Sequence, residues 1–394
     1  MQKIAGFILL VMFAWPFPSV QAALAPGSGP NEMIESSLPL LDRLSVDNVN
    51  RFIEQANRQM EQNLPLLTAE KLKEIAAGGF GAQWQKGWQF VQQRLFYELK
   101  ANAFLLGNLI ILAVLCALLQ NLSSSFGEAA VATLGHAVCF VFLMVMVLNA
   151  FNNAVSLART TVDAMTGFLE ALLPLLIALL AGVGAITTSG MFTPLMLLLV
   201  STASVVINNV VLPLLLFATF LDCLNRLSDK YSLGNLAKLL KQASMICLGA
   251  TLVVFIGVIT VQGVAGSVAD GVALRTAKYA TSTFVPVIGK MFADTVEMIM
   301  GASLLLKNAV GIFGLVIVSG LCAFPLLKLL VLALVAKLAG ALVQPMGEER
   351  MAKCLDAVGD NILLLFSTVL TAALMFFVAV TIVVAAGNMA VMLR

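Results

Sequence analysis

NILLLFSTVLTAALMFFVAVTIVVAAG, residues 361–387, runs for 27 positions without a charged side chain. About 20 apolar residues suffice to cross the ~30 Å hydrocarbon core of a bilayer. No water is available there to bond the backbone, so such a segment must close its own N–H···O=C bonds as an α-helix. Comparable apolar stretches lie at about 103–122, 130–148, 168–187, 191–221, 243–264 and 309–343. The 309–343 stretch is long enough for two tight spans joined near Pro325. The pattern predicts an all-α fold, a polytopic membrane helix bundle of about seven or eight spanning or re-entrant segments.

Composition agrees. Of 394 residues, 60% are apolar and 11% charged, and mean hydropathy is +0.98. A soluble domain carries about 25% charged residues, so lipid has to cover most of this surface. The net charge of +2 and the lack of a Lys/Arg block give no support for a nucleic-acid partner. The six cysteines, Cys116, Cys139, Cys223, Cys247, Cys322 and Cys354, form no CxxC pair, and none falls between residues 23 and 100. That spacing predicts neither a disulfide framework nor a metal site, and small apolar filler is the simpler reading.

Three regions follow in order. Residues 1–22 read as a signal peptide: Lys3, a short apolar run from Ile4 to Trp15, helix-breaking Pro16 and Pro18, then Val20-Gln21-Ala22 as a small-x-small cleavage site. An uncleaved anchor is the alternative. Residues 23–100 read as a small helical ectodomain, with Val46, Val49, Phe52, Ile53, Ala56 and Met60 at helical spacing opposite Asn48, Arg51, Glu54 and Arg58. Thr68 caps a second helix, and a third stripe, Trp84, Trp88, Val91 and Leu95, suits a headgroup layer. Such helices either cap the membrane domain or bind a partner outside it. Residues 101–394 form the multi-pass domain. Amphipathic pieces at Tyr231–Gln242 and Gly347–Asp360 read as helices lying in the interface.

Polar residues in apolar stretches mark where function can sit, because an ionisable group at membrane depth is costly and turns toward a bundle interior or water. Glu170, Asn208, Asn209 and Lys307 are the candidate lining of a polar path, while Lys328 and Lys337 suit snorkelling at span ends. Asn208-Asn209 can equally bond a neighbouring helix. The one histidine, His136, lies inside an apolar stretch, and no Walker A, HExxH or GxSxG motif is present. No catalytic, cofactor-binding or metal-binding residue is therefore assigned, no cofactor is implied, and an enzyme is the weakest reading.

An internal repeat is the remaining pattern. Arg159-Thr160 and Phe168 match Arg275-Thr276 and Phe284 at identical spacing. Each set is followed by an early proline (Pro174; Pro286), a later one (Pro213; Pro325) and an Ala-Lys-x-Leu piece at 237–240 and 352–355. The halves would be 130–242 and 243–360. Repeats with proline-broken helices occur in transporters and channels.

Several strings mix polar and apolar residues and so exceed hydropathy in specificity. They are NNVVLPLL (208–215), LSDKY (227–231), ADGV (269–272), RTAK (275–278), FVPVIGKMF (284–292), SLLLKNAVG (303–311), FPLLK (324–328) and LVQPMG (342–347). From about residue 100 to its end, the chain carrying them resembles the stage III sporulation protein AE family of spore-forming bacteria. The resemblance implies a multi-pass protein of the mother-cell membrane around the forespore. It would act with sister membrane proteins in a channel or secretion-like complex linking the two cells and supporting late forespore development. The bilayer is the other partner, and homo-oligomerisation stays open. A stand-alone secondary transporter is the alternative, suggested by the repeat and the broken helices.

Overall fold

A computed structural model describes residues 46–60, 97–98, 100–126, 129–227, 233–284, 288–346 and 349–392, with Leu66 and Thr68 as single positions. The signal peptide, the Thr68 helix and the Trp84 stripe lie outside the described residues. The helices, in chain order, are α1 (Val46–Met60), α2 (Ala103–Phe126), α3 (Ala129–Gly182), α4 (Ile186–Val206), a π-helical segment (Ile207–Val211), α5 (Leu212–Leu227), α6 (Gly234–Phe284), α7 (Ile288–Val343), a 3-10 turn (Gln344–Met346) and α8 (Glu349–Met392). The described residues contain no strand.

Among the described residues, five helical stretches are long and apolar enough to cross a membrane: Val138–Gly182, Ile186–Arg226, Gly234–Thr276, Ile299–Val343 and Glu349–Met389. The apolar runs at 130–148 and 168–187 fall within one helix, α3. Pro325 lies inside α7, which continues past it instead of splitting into two spans. A proline costs a helix one backbone bond and a kink. Ending the helix in apolar surroundings would free several such groups, so continuing through it is the smaller loss. The amphipathic pieces near 234–242 and 349–360 are the first turns of α6 and α8, not separate helices. Phe168 lies well inside α3 while Phe284 is the last residue of α6.

The helices pack side by side and antiparallel. Lys241 of α6 pairs with Asp222 of α5. One end of the α7–α8 pair is tied by Lys337 to Asp356 and Asp360 at 2.8 and 2.7 Å. The other end is tied by Lys307 to the Val384 carbonyl at 2.8 Å. The core is Leu, Val, Ile, Phe and Ala from all of these helices, including Phe168, Phe192, Phe255, Phe313 and Phe376. α1 joins it through Val49, Ile53 and Ala56 and sets Phe52 against Phe168, ring centroids 6.2 Å apart and planes tilted by 50°. Its Asp47, Arg51 and Glu54 face outward.

The turn between α3 and α4 explains how these two helices are held in line. Gly184 has φ +92°, a left-handed conformation that glycine adopts without a Cβ clash. Its N–H donates to Ala181 O at 2.9 Å and that of Ala185 to Leu180 O at 3.3 Å, the two bonds of a Schellman motif. Ala185, at the N-cap of α4, has no side-chain acceptor to offer. Asp270 of α6, 1% exposed, supplies it from another helix, accepting from the N–H groups of Thr187 (2.8 Å) and Thr188 (2.9 Å). Those are the amides an N-cap side chain normally serves, and a carboxylate there also meets the positive end of the helix dipole.

Candidate functional site

α3 and α4 run antiparallel, so descending numbers on one meet ascending numbers on the other. On α3, Arg159, Asp163 and Glu170 stand roughly in line. On the α4 side, Ser201, Ser204 and Asn208 recur at three and four residues, one helical face. The pairs meet in register. Ser201 Oγ donates to Glu170 Oε1 at 2.9 Å, Asn208 Nδ2 donates to Asp163 Oδ1 at 2.6 Å and to Ser204 Oγ at 3.4 Å, and Arg159 Nη2 donates to the Asn208 carbonyl at 3.0 Å. This is a polar seam: Asn208 is buried, whereas Arg159, Asp163 and Glu170 are exposed along its edge.

The last contact has a covalent cause. In the π-helical segment the N–H of Leu212 reaches back five residues to Ile207 O. The carbonyl of Asn208, next in line, would need the N–H of residue 213, and Pro213 has none. That oxygen is left without a helical donor in a nearly dry place, and the Arg159 guanidinium fills the vacancy. Ser244 Oγ of α6 contacts a second carbonyl of the segment, Val211 O, at 3.5 Å. The π-helical segment is therefore held from both sides. Such segments occur mostly as single-turn bulges and often at functional sites.

The amide of Asn208 is oriented by chemistry: the Asp163 carboxylate only accepts, so the NH₂ turns toward it and the carbonyl oxygen turns away. Asn208 Oδ1 is then buried without a hydrogen-bond partner. The seam thus presents a free buried acceptor, two carboxylates, a guanidinium and two hydroxyls along the edge of an otherwise apolar bundle. It can hydrate, relay hydrogen bonds or grip a neighbouring helix. Among the described residues no group of His, Cys, Asp and Glu is arranged to hold a metal ion.

Of the four residues picked from the sequence, Glu170 and Asn208 share this seam. Asn209 is exposed on the outer side of the π-helical segment. Lys307 is elsewhere, between α7 and α8 near the α3–α4 turn, 0% exposed, with Nζ bonded to Val384 O and, at 3.1 Å, to Asn388 Oδ1. Arg159, Asp163, Ser201, Ser204 and Asp270 were missed as site residues. The charged ones fall between the apolar stretches, at 149–167 and after 264, and so carried no signal of membrane depth. The two serines are common in membrane helices and carried none.

A family model described as stage III sporulation protein AE matches residues 67–387. The chain is 36% identical over 351 residues to the stage III sporulation protein AE of Bacillus subtilis (strain 168), covering 89% of this chain and 88% of that protein. No solved structure gives a significant match.

Proposed function

The chain belongs to the stage III sporulation protein AE family, and from that premise we propose that it is a membrane subunit of a channel or secretion-like complex linking mother cell and forespore. In this reading it sits in the mother-cell membrane around the forespore. It works beside sister membrane proteins and supports late forespore development as a scaffold or pore element, not as an enzyme. The observation that carries the reading is the seam of Arg159, Asp163, Glu170 and Asn208. Exposed ionisable groups on otherwise apolar helices fit water or a polar partner, not lipid. A removed signal peptide and an ectodomain over 23–100 complete the proposal.

The test is a deletion strain and a pull-down of the tagged protein from sporulating cells. Sporulation should stop after engulfment while vegetative growth is unchanged, and other membrane proteins made only during sporulation should copurify. Wild-type spore counts in the deletion strain would refute the assignment. The second reading, a stand-alone secondary transporter, draws on the half-buried π-helical segment, since interrupted helices line transporter sites. It requires solute uptake by the purified protein alone in vesicles.

A further inference from the structure

Along one face of α3 the surroundings change in order. Gly167 lies under Phe52 of α1, where an added Cβ would come within 2.7 Å of the ring, and α1 turns charged residues outward. Two helical turns earlier, Thr160, Ser156, Asn153 and Asn149 line a cleft of about 650 Å³, closed on its other sides by Asn102 and by Lys328 of α7. Beyond it, Val147 and Ala150 meet Leu109 of α2, whose Phe104, Ile111 and Leu115 are exposed apolar side chains. The cleft therefore stands where a water-facing helix gives way to a lipid-facing one.

Asn102 Nδ2 donates to the Glu98 carbonyl at 2.8 Å, but other polar groups of the cleft lack partners. Among the described residues Asn149, Asn153 and Lys328 make no hydrogen bond or ion pair, although Thr160 turns its hydroxyl back to Ser156 O and Leu157 O. The described lining holds one cation, three amides and no carboxylate. An ammonium flanked by amide N–H donors matches an anion with several acceptor oxygens. Met146, Leu157 and Leu332 supply apolar wall beside it. The geometry points to a binding site for a phosphate ester, the headgroup of a membrane phospholipid, with Lys328 as its charge partner and the acyl chains running along α2.

The test uses the full-length protein, delipidated in detergent and read by native mass spectrometry with phosphatidylglycerol, diacylglycerol of the same chains, or inorganic phosphate. One phosphatidylglycerol should be retained per chain and diacylglycerol should not. Lys328→Glu should lower occupancy about tenfold or more, the scale of one charge-assisted hydrogen bond. Asn153→Leu, at an exposed position, should also lower it. Lys238→Ala, an exposed lysine of α6, should leave it unchanged. Binding of inorganic phosphate alone, lost with Lys328→Glu, would support the anion site and assign it to a free anion. Diacylglycerol retained like phosphatidylglycerol, or equal retention in wild type and in both cleft variants, would overturn the proposal.

Discussion

Lys307 and Gly387 depend on each other. The ammonium is out of reach of solvent and bonds only a backbone carbonyl and an amide oxygen of α8 among the described residues. A Cβ at Gly387 would fall 2.1 Å from Nζ and 2.8 Å from Leu180 Cδ1. Glycine there makes the room in which the charge sits. Gly387→Ala pushes the ammonium off its acceptors, and leaving a buried charged donor unbonded costs more than the about 1–3 kcal/mol of a neutral one. Gly301→Ala, where an added Cβ meets nothing within 4 Å, should be neutral or gain up to about 1 kcal/mol from lost unfolded-state freedom. The Gly387→Ala loss should shrink when Lys307→Met is added, because the uncharged side chain can shift without stranding a charge. Thermal unfolding of the four detergent-purified proteins reads this, and equal losses with and without Lys307→Met would disprove the dependence. Lys307 was visible in the sequence as a charge among apolar residues. Gly387 was not, since it lies in another apolar stretch and nothing local marks it.

At the scale of an element, the π-helical segment is a conflict resolved between chain and neighbour. Arg159→Met should cost about 1–3 kcal/mol by stranding the Asn208 carbonyl. Pro213→Ala returns an N–H at the position whose lack created that vacancy. In the Pro213→Ala background, the Arg159→Met change should therefore cost less, by at least about 0.5 kcal/mol, the size of a detectable coupling. Strict additivity of the two changes would count against the account. Sequence reading took Pro325 as a join between two spans and Pro174 only as a mark of the repeat. Pro174, Pro194 and Pro325 all lie inside helices. A proline reports the bond it removes, not whether an arginine from another helix is waiting to replace it. For the same reason Asn208 was legible as polar, while its pairing with Asp163 and Arg159 was not.

For the whole molecule, length is the deciding quantity. A stretch of 45 residues such as Val138–Gly182 measures about 68 Å at the ~1.5 Å rise of a helix, roughly twice the ~30 Å of hydrocarbon. Windows of about 20 residues cut such helices into pieces, which is why the sequence pointed to more segments than the long helices the fold uses. The class of fold was legible because composition fixes it; which helix lies against which was not. One contact tests the assembly directly. Cys223 of α5 and Cys354 of α8 are both buried, with sulfurs 3.5 Å apart, and Asn361 Nδ2 donates to Asp222 Oδ2 at 3.4 Å beside them. Nothing in the spacing of the cysteines foretells that meeting. Molecular iodine, small and apolar, should enter the bundle and join the two thiols, which lose two protons and two electrons as iodine becomes two iodide ions. Peptide mass spectrometry without reduction should find the Cys223–Cys354 link within one chain. Cys223→Ser should abolish it, and Cys139, Cys247 and Cys322 should stay unlinked. Iodine treatment that links other cysteines while leaving this pair reduced would mean that α5 does not pack on α8, and the antiparallel bundle that carries the polar seam would have to be drawn again.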